Sequence, residues 1–346
     1  MKILIVRLGA LGDIVHAVPV AVALRRAYPD ARIDWIVSAK HREILDLVPV
    51  LDDRIVVADR RGSADGVSLP AAIGRLRRTK YDVAIDLQGL LKSAVIARLS
   101  GARRVIGFAR RYARESAASL FYSERYDPGG PGALDPTDTR HVVTINLGVL
   151  HMLGIAPGVP AFGLVAPRSA PVAEAVAAVG EPFALLNTGA AWPNKRWPAP
   201  RLAELASQLH ARRGLRSLVL WGPGEQPLAE EVVARAHGAA RLAPRTTIAD
   251  VAALAAAAAV MVSGDTGPTH IASAMGTPLV GIYGPTRPER NGPLGKDDVS
   301  VSRASICQCH HLRQCKLERM CLLDIEVAEV LDAVERRLDA AERCRG

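Results

Sequence analysis

The sequence predicts an α/β protein of two open domains, each built on a parallel sheet, facing each other across a cleft. Three observations carry this. Apolar strand-like runs alternate with helical spacing in the first half, the alternation restarts after a proline-rich break, and aromatics make up only 4% of a 346-residue chain that is 49% apolar. Layers of strands and helices suit such an Ala-, Val- and Leu-rich composition better than an all-β design. The apolar fraction also excludes a disordered chain, and the length allows two domains of ordinary size.

Residues 2–6 (KILIV) read as a strand, 7–12 as a loop carrying Gly9 and Gly12, and 13–28 as a helix with Ile14, Val15, Val18, Val22 and Leu24 at helical spacing. Pro29 and Asp30 stop it. Strands follow at 31–38 (ARIDWIVS), 54–59 (RIVVAD) and 81–88 (YDVAIDLQ), with helical stretches to Leu47 and to about Lys80 and a basic, Gly/Ser-rich loop over 60–68 between them. Parallel strands with right-handed crossovers leave functional groups in the loops at the strand C-termini. Residues 156–171 have no periodicity and read as a linker, so the first domain is expected over 1–160 and the second over 172–323. The second repeats the pattern: FALLNTG (183–189), a helix over about 198–213, SLVLWG (217–222), a helix to about His237, an Ala-rich helix at 248–258, then strand, turn, helix and strand from Val260. The tail, 324–341, is an amphipathic helix with Ile325, Val327, Val330, Leu331, Val334 and Leu338 near one face.

Net charge is +9, and residues 1–160 hold 23 Lys+Arg against 16 Asp+Glu, so most of the excess lies in the first half. That half is built to meet an anionic partner. Acidic headgroups, a phosphorylated or carboxylated substrate and nucleic acid all fit the charge, but the basic residues are not interleaved with stacking aromatics or an RNP-like motif, which argues against nucleic acid. The start, MKILIVRLG, is not a secretory signal, and no apolar run reaches the roughly 20 residues of a spanning helix. Five cysteines, clustered late, do not suggest a secreted disulfide framework, so a cytoplasmic location is expected.

Polar groups gather at five strand ends. SGDTGPTHIASAMGTP (263–278) places Gly264, Asp265, Thr266, Gly267 and His270 where a strand turns into a helix whose first position suits Pro268. Free amides and the helix dipole make such a start an anion site suited to a pyrophosphate. A simply capped helix fits the turn too, yet needs only one of these polar residues. The first loop, GALGD (9–13), lacks the G-x-G pair and the ribose acid of a dinucleotide fingerprint, which leaves a dehydrogenase the weakest class. Asp13, at a helix start, would repel a diphosphate and suits the work of a base; it is equally an ordinary N-terminal helix acid. NTGAAWPNKRWP (187–198) offers Thr188, Asn194, Lys195 and Arg196 in a loop restrained by two Trp-Pro pairs, and Glu225 in WGPGE could hold a ribose or be a surface acid. Gln88 and Lys92 in DLQGLLKSA (86–94), with Arg60, Arg61, Arg114 and His141, give the first domain a basic edge, although each alone is an unremarkable solvated group. No D-x-D occurs, so a metal held by paired acids is not indicated, and lysine with the helix dipole has to neutralise a leaving diphosphate. Cys307, Cys309, Cys315 and Cys321, with His310 and His311 between, are spaced closely enough for a zinc site or a disulfide, but not as a standard zinc ribbon; free thiols also fit.

Taken together, LGALGDIVHAVP (8–19), DLQGLLKSA, GFARRYARESAASLFY (107–122), KRWP (195–198) and SGDTGPTHIASAMGTPLVGIYGPT (263–286) resemble glycosyltransferase family 9, most closely its ADP-heptose:lipopolysaccharide heptosyltransferases of type I. The likeness runs over nearly the whole chain. It implies a GT-B architecture: two Rossmann-like doubly wound domains facing across a cleft, acceptor on the first, nucleotide sugar on the second, and a last helix (324–346) returning to the first domain. It implies Asp13 as general base, with Lys195 and Thr188 on the donor diphosphate. Asp265, Thr266, Gly267 and His270 would line the donor site and Glu225 hold the ribose, with Arg60, Arg61, Gln88, Lys92, Arg114 and His141 toward the acceptor. The reaction implied is an inverting, metal-independent transfer of heptose from ADP-heptose, with no further cofactor, to Kdo-lipid A at the cytoplasmic face of the inner membrane, where the protein would be peripheral. The acid after the W-G strand is offset from the family position, and the Cys-rich segment looks more like other branches of the family, so a type II or other acceptor is the nearest alternative. An epimerase or hydrolase of the same architecture would release nucleotide without an acceptor, and a sugar-nucleotide-binding protein would be indifferent to loss of Asp13.

Overall fold

The computed structural model describes residues 1–59, 65–133, 135, 137–309, 312–315 and 319–344. The chain forms two compact units, Met1–Val165 and Ala166–Gly346. The division falls within the proline-rich stretch, where no helix or strand is present between Leu153 and Ala170.

The first unit holds six strands: β1 (Lys2–Val6), β2 (Arg32–Ser38), β3 (Asp53–Val57), β4 (Val83–Asp86), β5 (Arg104–Phe108) and β6 (Glu124–Tyr126). They lie in the order β3-β2-β1-β4-β5-β6, every pair parallel. Buried Ile and Val dominate β1 and β2 because helices cover both faces of a parallel sheet. The expected single helix at 13–28 is two, Leu11–Val15 and Val18–Ala27. Pro19 is the reason, since it has no N–H to give to the Val15 carbonyl and disfavours a helical residue before it.

The second unit repeats the plan with β7 (Phe183–Asn187), β8 (Arg216–Leu220), β9 (Ala240–Leu242), β10 (Val260–Gly264), β11 (Leu279–Tyr283) and β12 (Val299–Ser302). Their order is β12-β11-β10-β7-β8-β9, again wholly parallel, so each unit runs 3-2-1-4-5-6 in its own count. In such sheets ligands bind where the strand order reverses, outside the carboxyl ends of the two central strands. Those strands are β1 and β4 in one unit and β7 and β10 in the other.

The last helix, expected to return to the first unit, runs over Val327–Arg343 and packs on the second: Val327, Val330, Leu331, Val334 and Leu338 share a core with Leu186, Val262, Val280 and Val301 of the second sheet. Its apolar stripe is spent there, and Arg337 adds a 2.7 Å hydrogen bond to Asp298 beside β11. Among the described residues no helix is long and apolar enough to cross a membrane.

Candidate active site

In the first unit the loops after β1 and β4 meet at the reversal point. Just past β1 stands Arg7, a buried arginine that holds both loops: it donates to the Leu87 carbonyl and pairs with Asp13 at 2.6 Å. Gln88 accepts from the Leu8 amide at 2.8 Å, so this residue, expected at the acceptor, is built into the loop that presents Asp13. Asp13 lies in the first helical turn and accepts from the Ala10 amide at 3.3 Å, with Arg114 at 3.9 Å. Burial alone would raise its pKa. The charges of Arg7 and Arg114 and the hydrogen bonds from Ala10 and Arg7 outweigh that and hold it below the usual carboxylate value. The carboxylate is therefore ionised at neutral pH, and its side chain remains 33% exposed.

DLQGLLKSA forms the platform beneath. Asp86, wholly buried, accepts from the Gln88 amide and from the Ser93 and Tyr122 hydroxyls, each at 2.8 Å, and from the Gly89 amide at 3.3 Å. Gly89 has φ +68°, and a Cβ there would come within 3.0 Å of the Arg114 nitrogen, so only glycine lets the two loops approach. Lys92 is exposed on the first turn of helix Leu91–Leu99. His141 caps helix Val142–Gly148 by accepting from the Val143 amide at 3.2 Å and meets His16 edge to face, ring centres 5.5 Å apart. Arg60 and Arg61 lie outside the described residues.

In the second unit the loops after β7 and β10 meet likewise. Asp265, just beyond β10, binds two cationic or potentially cationic groups: Lys195 Nζ at 2.5 Å and His270 Nε2 at 3.2 Å. Burial pushes its pKa up, but the His270 hydrogen bond and the Lys195 charge override this and keep it well below the ordinary value. Lys195 also lies 4.4 Å from the centre of the Trp192 ring. Gly264 matters here because a Cβ would stand 2.8 Å from the Lys195 carbonyl, too close for any other residue.

Thr266 precedes helix Gly267–Met275 but makes no side-chain cap. Its hydroxyl joins a net in which Asn187 donates to Ser263 at 2.9 Å and to Thr266 at 3.1 Å, while Thr269 lies 2.6 Å from Ser263 and 3.1 Å from Thr266. The buried Thr188 hydroxyl donates to the Leu220 carbonyl at 3.2 Å. Glu225 accepts from the Gly222 amide at 2.9 Å, has Arg196 at 3.9 Å, and rests where a Cβ on Gly189 would overlap its carboxylate.

The structure thus joins Asp13 to Arg7 and Arg114 in the first unit and Asp265 to Lys195 and His270 in the second, and three of the anchoring residues were overlooked in the sequence. Arg7 directly follows an apolar strand, which is an unusual place for a buried cation and a usable signal. Asn187 and Ser263 read only as the ends of buried strands.

Two doubly wound sheets with charged groups at their reversal points place the chain in the class of open α/β proteins whose ligands bind outside the carboxyl ends of the central strands. More specifically, the chain belongs to glycosyltransferase family 9 (heptosyltransferase), whose profile matches residues 71–321. It is 31% identical over 315 residues to lipopolysaccharide heptosyltransferase 1 of Pseudomonas aeruginosa, covering 89% of this chain and 85% of that one. Against lipopolysaccharide heptosyltransferase 1 of Escherichia coli it is 29% identical over 313 residues, covering 88% and 94%. Among solved structures, an E. coli heptosyltransferase with ADP-2-deoxy-2-fluoro heptose superimposes with a TM-score of 0.74 at 25% identity, over 97% of this chain and 99% of that one.

Proposed function

We propose that the chain moves heptose from ADP-heptose onto Kdo-lipid A in lipopolysaccharide core biosynthesis, by direct displacement with inversion and without a catalytic metal. Heptosyl transfer in this pathway rests on the family match and on relatives at 29–31% identity over most of the chain. The mechanism rests on one observation above the others: Asp13 is kept ionised by Arg7 and Arg114 while a third of its side chain stays open.

In this reading Asp13 takes the proton of an acceptor hydroxyl as that oxygen attacks the anomeric carbon, and the bond from that carbon to the ADP oxygen breaks. Its depressed pKa makes it a weak base that is always available, so it acts by position rather than strength. The departing diphosphate meets Lys195 and the uncapped amides at the start of helix Gly267–Met275, where the dipole favours negative charge. Asp265 orients Lys195 and His270, and Glu225 holds the ribose. Arg114, Lys92 and His141, with Arg60 and Arg61, serve the carboxylates and phosphates of the acceptor. The charge excess of the first 160 residues suits a peripheral position on the cytoplasmic face of the inner membrane.

The test separates binding from chemistry. Asp13→Asn is expected to bind ADP-heptose as the parent does and to lose about a hundred- to ten-thousandfold in kcat. Lys195→Ala is expected to weaken both donor binding and turnover. Transfer by Asp13→Asn at the parental rate would overturn the assignment of the base.

A further inference from the structure

Leu186 of β7 pairs with Val262 of β10, so Asn187 and Ser263 come side by side where the two central strands of the second sheet end. Both are buried, as is Thr269, whereas Thr266 is only half-buried. The Asn187 amide nitrogen has three acceptors in reach: the Gly189 carbonyl at 3.1 Å, the Ser263 hydroxyl at 2.9 Å and the Thr266 hydroxyl at 3.1 Å. A carbonyl can only accept, so Gly189 fixes which end of the carboxamide faces this point. The two N–H groups therefore serve the carbonyl on one side and the hydroxyl pair on the other, which makes the Ser263 and Thr266 oxygens acceptors. Thr269 donates to the Gly264 carbonyl, and its own oxygen accepts from Ser263 at 2.6 Å. The Thr266 proton can reach the Thr269 oxygen at 3.1 Å or turn outward to a ligand; its oxygen stays anchored either way.

Thr266 has the extended backbone of an N-cap, φ −144° and ψ 166°, and threonine is a good capping residue, yet it makes no side-chain cap. Elsewhere in the same unit a hydroxyl at this position does cap its helix: Ser169 accepts from the Val172 amide at 3.4 Å and Thr247 from the Asp250 amide at 3.1 Å. The polar net accounts for the difference, because Asn187 and Thr269 hold the Thr266 oxygen at the strand ends, so it is not spent on the helix. The first amides of an α-helix have no partner within the helix. Pro268 has no N–H, so those of Gly267 and Thr269 are the ones left for a ligand.

We propose that Asn187 is a positioning residue of the donor site, whose buried carboxamide turns Thr266 from a helix cap into a hydrogen-bond donor for the diphosphate. One hydrogen bond has two effects. The Thr266 oxygen, held as an acceptor, leaves its proton for a phosphate oxygen, and the Thr269 amide is not consumed by a cap. Both donors then serve the anion that the dipole of helix Gly267–Met275 favours. Asn187 acts through Thr266 and touches neither nucleotide nor sugar. This role rests on the donor site proposed above, where Lys195 and this helix start meet the diphosphate.

The test is a double-mutant cycle on the full-length protein, with ADP binding measured by calorimetry. Asn187→Ala and Thr266→Ala are each expected to weaken ADP binding by roughly tenfold, and the double variant to bind no more weakly than Thr266→Ala alone. If Asn187→Ala does not fold, Asn187→Leu, close to it in volume, takes its place in the cycle. A second readout needs no ligand. Hydrogen exchange of the Thr269 amide in the ADP-free protein is expected to slow in Asn187→Ala, since the released Thr266 hydroxyl turns to cap it; a residue that only braces the turn would speed that exchange when removed. Losses that multiply in the double variant while Lys195→Ala still weakens ADP binding, or faster exchange at Thr269, would overturn the positioning role alone. ADP binding untouched by both Lys195→Ala and Thr266→Ala would overturn the donor site itself, and this role with it.

Discussion

Asp13 and Arg7 show how a single ion pair sets a residue's chemistry. Arg7 is buried, and its pairing with Asp13 is among the causes that depress the carboxylate's pKa. A carboxylate so depressed is charged at every pH above its folded value, so with Asp13 as the proposed base its protonation is expected to limit turnover only in acid. Replacing Arg7 by Met removes one of those causes. The acid limb of the kcat/KM profile is expected to move toward neutral pH, while Arg7→Lys holds it nearer the parental position. An acid limb that stays in place in Arg7→Met would separate Arg7 from the base. The sequence announced Asp13 through its place after GALG, and Lys195 through its restrained loop. It did not announce that the Gln88 side-chain oxygen would accept from a backbone amide eighty residues away, because no local pattern encodes such a partner.

The motifs work at the next scale as loops fixed by buried polar anchors. Asp86 takes four donors and offers none, so Asp86→Asn turns an amide toward hydroxyls and amides that want an acceptor. It should cost about 1–3 kcal/mol of stability, measured by denaturant unfolding. Gly189→Ala is a cleaner probe of the donor side, since its Cβ would occupy the place of the Glu225 carboxylate. The fold should survive, and KM for ADP-heptose should rise on the order of tenfold if the lost hydrogen bonds follow the usual scale for charged groups. Asp265 gives the pH dependence. Its folded pKa is depressed, so its contribution to stability is complete above the ordinary carboxylate value and is lost as pH falls through the folded one. Acid unfolding should therefore be shallower in Asp265→Asn than in the parent. The strongly periodic elements were legible from sequence, among them β1, β7, β10 and the helix after Thr266. The strands β5, β6, β9 and β12 were not, being short or lying within segments whose charged residues read as a binding motif. The break at Pro19 was legible in principle, yet the apolar spacing on either side masked it.

At the scale of the whole molecule, the same doubly wound sheet occurs twice, with different groups at the reversal point: a carboxylate between arginines in the first unit, a lysine and a helix start in the second. The repeat was readable because alternation of strands and helices restarts after the proline-rich stretch. The destination of the last helix was not, since an amphipathic stripe says that a helix packs but not against which sheet. A surface charge of +9 placed mostly in the first half predicts binding to vesicles of anionic lipid that weakens as salt rises through the physiological range; salt-independent binding would point to apolar insertion instead. The most direct test of the central claim is to follow ADP release and product mass with ADP-heptose as donor, in the presence and absence of Kdo-lipid A. The account predicts release that requires the acceptor and an acceptor heavier by one heptose. Equal release without acceptor, with no gain in acceptor mass, would contradict it.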